Sequence, residues 1–187
     1  MKIKPLHLLF IVFTMSLGAC NKDTNSSENT QISGATEQIR IKEAWNANHE
    51  WVKQMTISDS LIVRNKSWGI DINQIQETVE MAESQPKSGK SYSLYFDDSD
   101  LNFVDITYMA NDQGKLNEID LDIYVEENTQ VSELQNSIKT YFDVKFGPST
   151  TVGNKIRWSK NKNTQVELED VSTSKDPGIK IMLKAKL

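Results

Sequence analysis

Residue types that do chemistry are sparse in this chain. It has two histidines, and only His49 lies outside the apolar N-terminal run. A nucleophilic site needs a histidine beside a serine or cysteine, with a third group to orient it. His49 has Glu50 beside it and Lys53 one turn on, and no serine is marked as its partner, so it reads as a surface residue of a helix. Asp98, Asp100 and Asn102 stand at alternate positions, like the first three oxygen ligands of a calcium loop. That loop then requires glycine and, later, a bidentate glutamate. Phe103 and Met109 stand there instead, so the run reads as a polar hairpin turn. Asp120 and Asp122 share a strand face, a spacing at which two carboxylates can act as acid and base. Alternating aspartates also describe an ordinary solvated strand. No phosphate-cradling glycine loop and no dinucleotide fingerprint occurs. The expectation is a non-enzyme with no catalytic residue, no metal and no cofactor.

One cysteine remains, Cys20, which excludes an internal disulfide and any multi-cysteine metal site. It follows a basic start (Met-Lys-Ile-Lys) and an apolar run from Leu6 to Leu17. About a dozen residues are too few to span a bilayer core of roughly 30 Å. Basic start, short apolar core and small residues together describe a secretory signal segment. Leu17-Gly18-Ala19-Cys20 resembles the bacterial lipobox. The resemblance implies cleavage after Ala19 and acylation of Cys20, hence a bacterial lipoprotein held in the membrane by its N-terminal lipid. Asn21, where enterobacterial lipoproteins retained in the inner membrane carry Asp, leans toward the outer membrane, facing the periplasm. Several acyl chains at about 0.8 kcal/mol per buried methylene make a lasting anchor.

The elements that would carry any site come after this segment. The chain has 187 residues, 37% hydrophobic and 25% charged, with a formal charge of -5. Loss of Lys2 and Lys4 with residues 1–19 makes it more negative. An acidic chain disfavours nucleic-acid binding. Residues 20–36 are small and polar and read as a flexible tether of about 20–25 Å mean reach. Residues 37–67 predict a helix at 37–55 and a short strand at Leu61–Arg64. Residues 68–128 predict a helix over 70–85, started by Asp71 and Gln74 at capping-box spacing, then strands at 92–96, 103–109 and 119–125. Residues 129–187 repeat the pattern: a helix with Ser132 and Gln135 at the same spacing, then strands at 154–158, 165–171 and 179–187.

Sliding the chain so that Pro86 meets Pro148 also places Phe96 on Trp158, Ile106 on Leu168 and Leu121 on Leu183. Helix, proline and three strands return together, which reads as tandem α-β-β-β units. A single six-stranded sheet with two similar helices is the plainer alternative. The arrangement resembles the tandem fold of beta-lactamase inhibitory protein. One unit resembles the small lipoprotein of the outer-membrane barrel-assembly machinery. The motifs are Trp68-Gly69 before a helix and Phe146-Gly147-Pro148 after one. The resemblance implies an α+β fold whose antiparallel sheet has helices on one face and leaves the other open.

On that open face the first unit would present Tyr95, Phe103, Asp105, Asp120, Asp122 and Tyr124, acidic with three aromatics. The second would present Lys155, Arg157, Lys180 and Lys184. An aromatic, charged face suits a protein partner, unless the aromatics pack against residues 37–67. Tyr95, Phe103, Asp120, Asp122 and Tyr124 are therefore the candidate contacts with an unidentified periplasmic protein. The expected function is a lipid-anchored, non-enzymatic interaction domain. The alternative is an inhibitor or immunity protein against a periplasmic or toxin enzyme.

Overall fold

Alternation of apolar and polar residues builds most of this molecule. A computed structural model describes residues 25–59 and 62–186, with side chains from Gly34 onward. The order is α1 (Asn25–Asn46), α2 (Glu50–Thr56), a 3-10 turn (Ile72–Gln74), β1 (Glu80–Met81), β2 (Gly89–Tyr95), β3 (Phe103–Ala110), β4 (Leu116–Tyr124), α3 (Asn128–Phe146), β5 (Thr150–Val152), β6 (Lys155–Trp158), β7 (Thr164–Asp170) and β8 (Gly178–Ala185). The strands form one eight-stranded sheet, β1-β2-β3-β4-β8-β7-β6-β5, antiparallel throughout. The fold is α+β, with β4 and β8 side by side at the centre.

Because strand side chains alternate, one sheet face collects the apolar set. Val104, Ile106, Tyr108, Ile119, Leu121 and Ile123 are buried there, with Leu168, Ile179, Ile181 and Leu183 across the seam. Against this face α3 buries Leu134, Ile138, Tyr141, Phe142 and Phe146. Each such side chain contributes about 1.5–3 kcal/mol by leaving water. The end of α3 is tied to β6: Trp158 Nε1 donates to Asp143 Oδ1 at 2.9 Å, and its ring meets Phe142 edge-on at 5.5 Å. Gly147, at φ 87°, takes the chain out of the helix before Pro148.

Several expectations need correction. The helix expected at 37–55 is two helices, because Asn48 and His49 break it. Asn48 Nδ2 donates to Ser137 O at 2.9 Å, pinning the break on α3, and His49 Nδ1 caps α2 by accepting from Trp51 N at 3.2 Å. The expected tether overlaps α1, which begins at Asn25. Residues 34–40 are all exposed, and Ile41 is the first buried residue of α1 among those whose side chains are described. The described part of the expected strand at 61–64 is a bend, and Leu61 itself lies outside the described residues. The helix expected over 70–85 is absent; Asp71 caps only the 3-10 turn. Beyond it Ile75 and Glu77 point inward while Gln76 and Thr78 face out, a period of two rather than 3.6. Helix α3 starts a turn earlier than Ser132 implied. Gln130 Oε1 accepts from Glu127 N at 2.8 Å, so Glu127 and Gln130 form the box.

Candidate functional site

Among the described residues no element covers the second sheet face, and its side chains lie in cross-strand rows. One row runs Ser93–Asp105–Asp122–Lys180–Glu169–Lys155. The next runs Ser91–Thr107–Asp120–Met182–Glu167–Arg157. The second half is not the basic face expected from sequence: Glu167 and Glu169 stand among Lys155, Arg157 and Lys180 in these rows. Lys180 Nζ donates to Asp122 Oδ1 at 3.0 Å and lies 3.5 Å from Asp120 Oδ2. Lys184 reaches Glu118 at 3.1 Å, Lys155 reaches Glu169 at 3.0 Å and Arg157 Nε reaches Glu167 at 2.6 Å. At 20–40% side-chain exposure for most of these groups, each pair contributes at most modest stability. Their main effect is to cancel charge within the face.

Asp120 is the exception inside that network. Its Oδ1 is buried and has no hydrogen-bond partner. Burial lifts its carboxyl above the ordinary range, opposed by Lys180 and reinforced by Glu118 and Asp122. Asp122, by contrast, is held by Lys180. The two aspartates proposed as partner contacts are thus engaged mainly with their own sheet.

The aromatic candidates form a third row at one end of the face, Tyr95–Phe103–Tyr124. Phe103 stacks on Tyr124 with ring centres 4.7 Å apart, and Tyr95 lies 5.6 Å from Phe103. Among residues 37–59 and 62–67, Ile41, Val52, Met55, Ile62 and Val63 join the core on the covered side, where Trp51 stacks on Phe96 at 4.9 Å, away from this row. Tyr95 is 46% exposed and Tyr124 39%. The row's fourth position is Gly178, opposite Tyr124. A Cβ there would sit 2.7 Å from Ile123 O, so the close approach of the strands requires glycine. Beyond the row a pocket of about 250 Å³ opens at Phe103 and Tyr124, bounded by Leu101, Glu126, Lys175, Asp176 and Pro177.

Two turns shape this pocket. In the 97–102 hairpin Asp97 accepts from Ser99 N and from Asn102 Nδ2, and Asn102 Oδ1 accepts from Glu126 N at 2.9 Å. Of the three residues spaced like calcium ligands, Asn102 is thus spent on fixing the turn. No cluster of three or more His, Cys, Asp or Glu suited to a metal occurs among the described residues. In the 172–177 turn Thr173 Oγ1 donates to Asp176 Oδ2 and accepts from Asp176 N at 3.0 Å. The Asp-Pro-Gly signal marks this turn in sequence, but not its arrival beside Tyr124.

A second polar cluster escaped sequence reasoning. Beneath the sheet Glu77 meets Arg64, Lys66 and the hydroxyl of Tyr108. Burial pushes the Glu77 carboxyl up, but hydrogen bonds from Arg64, Lys66 and Tyr108 outweigh it and hold the carboxyl below its ordinary value. Tyr108 is raised far above its ordinary value by burial and by Glu77. This cluster is enclosed and fully paired, and it joins the 62–66 bend to the sheet. His49 faces solvent as a helix cap.

Cys20 lies outside the described residues. Among the described residues no helix is long and apolar enough to cross a membrane. Comparison with protein-family models, with curated proteins and with solved structures returns no match for this chain.

Proposed function

We propose that the chain is an outer-membrane lipoprotein, anchored through Cys20, whose folded part is a non-enzymatic domain that docks a periplasmic protein. The docking surface is the aromatic end of the open sheet face. The observation that carries this is the row Tyr95–Phe103–Tyr124. Two large rings stand exposed in line, at the end of a face on which Lys155, Arg157, Lys180 and Lys184 are each paired with a carboxylate of the same face. Exposed aromatic clusters of this kind anchor protein interfaces, and charge matching elsewhere leaves this end as the adhesive part. The anchor rests on Leu17-Gly18-Ala19-Cys20.

The sheet reads further as two related halves. The shift that places Pro86 on Pro148 carries Glu118 onto Lys180, Asp120 onto Met182 and Asp122 onto Lys184. Asp120 pairs with Met182, and the flanking pairs are Glu118 with Lys184 and Asp122 with Lys180. A local two-fold axis through Asp120–Met182 supports a duplication of the three-stranded part, with the helix kept only in the second half.

The test is photo-cross-linking in intact cells, with a benzophenone amino acid at Tyr95 and, as control, at Val152. Val152 is 54% exposed at the far edge of the sheet. One discrete adduct from position 95 and none from 152 is the expected result. Equal labelling from both, or none from either, sinks the docking face. If the captured partner is an enzyme and loses activity on addition of this protein, the inhibitor reading replaces the plain binding one.

A further inference from the structure

We propose that the pocket beside Tyr124 receives an arginine side chain of the partner protein, with its guanidinium against the Phe103–Tyr124 rings and its N–H groups on Glu126 and Asp176. This rests on the aromatic end being the docking surface, and it adds what the partner must present there.

The pocket combines three features that together select a planar cation. The first is a π surface: Phe103 and Tyr124 both line it, as a stacked pair at 4.7 Å. Aromatic rings attract cations through their quadrupole, and arginine also stacks flat on them. The second is the carboxylate rim. Glu126 and Asp176 come from two different loops and flank the rings on the same pocket. Both loops are held by side-chain bonds: Asn102 fixes the backbone at Glu126, and Thr173 fixes the Asp176 carboxylate before any ligand arrives. The third is the field. Asp105 and Asp122 lie in the adjacent row, and with Asp176 they push the Tyr124 phenol above its ordinary value, after burial and against Lys180.

Two lysines oppose this field. Lys180 is already shared between Asp120 and Asp122. Lys175 also borders the pocket, on the exposed 172–177 turn. Against these stand Asp105, Asp122, Glu126 and Asp176, so the end remains acidic. A guanidinium fits better than an ammonium: its planar fork can lie on a ring while its edge reaches two carboxylates, a geometry that a compact ammonium does not offer. Volume agrees, since about 250 Å³ accommodates one long side chain and no second domain element.

The test uses the full chain carrying fluorotyrosine, which gives one fluorine signal for each of its 5 tyrosines. The probe is the peptide acetyl-Gly-Arg-Gly-amide, with the citrulline peptide as its uncharged isostere. The arginine peptide should move the Tyr124 signal and leave those of buried Tyr108 and Tyr141 in place. Citrulline should bind at least about tenfold more weakly, and so should arginine to the Glu126→Gln/Asp176→Asn variant. Both carboxylates are exposed, and unchanged signals from Tyr108 and Tyr141 certify that the variant is folded. An unmoved Tyr124 signal, or an equal response to both peptides, overturns the arginine assignment. The cross-link at Tyr95 is scored separately. An adduct with no arginine response sinks the pocket assignment alone, while an arginine response with no adduct sinks the docking reading.

Discussion

Arg64 and Glu77 face each other inside the fold, Nη2 2.7 Å from Oε2, with side-chain exposures of 2% and 3%. Arg64 also donates to Gln54 O at 3.0 Å, so one guanidinium ties α2, the 62–66 bend and the strand-like segment at 75–79 together. A charge so enclosed is tolerable only because it is paired. Arg64→Ala leaves the Glu77 carboxylate with Lys66 and Tyr108 alone. Lys66 still balances the carboxylate, so the expected loss is that of the charged hydrogen bonds, about 1.5–3 kcal/mol, read as a lowered urea midpoint. Glu77 itself gives a pH signature. Its folded value is depressed, so its contribution is present above the ordinary carboxylate value and is lost as pH falls through the lower folded value. Stability should therefore fall in acid below about pH 4.5, and Glu77→Gln should flatten that fall.

Lys145 predicts a slope of the other kind. Its Nζ donates to the Tyr141 hydroxyl at 3.0 Å, and burial, opposed by Asp59, lowers its ammonium to about 8. The unfolded chain stays protonated there up to the ordinary lysine value, and so binds more protons than the folded chain. Stability should rise with pH between about 8 and 10, and Lys145→Met should remove that rise in a series of melts. Above that window Tyr141, raised by burial and Asp59, acts in the opposite sense.

Gly178→Ala forces a methyl to within 2.7 Å of the Ile123 carbonyl on the central β4–β8 seam. Strain of this size typically costs about 1–3 kcal/mol. For a chain of this length that is a fall of several degrees in Tm, at about 2–4 °C per kcal/mol. Because position 178 is the open end of the aromatic row, the same variant should weaken the Tyr95 cross-link.

Cys20→Ser should abolish incorporation of labelled palmitate and release the protein from the membrane fraction. Retention in that fraction, together with undiminished labelling, would refute the anchor.

The legible and illegible parts differ in physical kind. Strand alternation is local, so Val104–Ile106–Tyr108 and Ile119–Leu121–Ile123 announce which face is buried, and α3 announces itself through Leu134, Ile138 and Phe142. The segment after Asp71 misleads because one of its inward positions holds a glutamate. Glu77 is apolar in neither sequence nor helical face, and becomes internal only when Arg64 and Lys66 arrive from another segment. His49 reads as a mid-helix residue until Asn48 is seen bonding Ser137 O, far along the chain. Tyr95, Phe103 and Tyr124 can be assigned to one face from alternation alone. Their alignment in a single row depends on cross-strand register, and the pocket depends on Leu101, Glu126 and Asp176 converging from separate loops. The cancellation of charge between Asp122 and Lys180 needs β4 beside β8, a pairing that no local pattern specifies.

The two outermost strands are very short, two residues in β1 and three in β5. An open sheet usually invites other chains to extend it through unpaired N–H and C=O groups along its margins. Here each margin offers too few consecutive groups to template a partner strand. The short margins therefore give copies of this chain little backbone with which to extend one another's sheet.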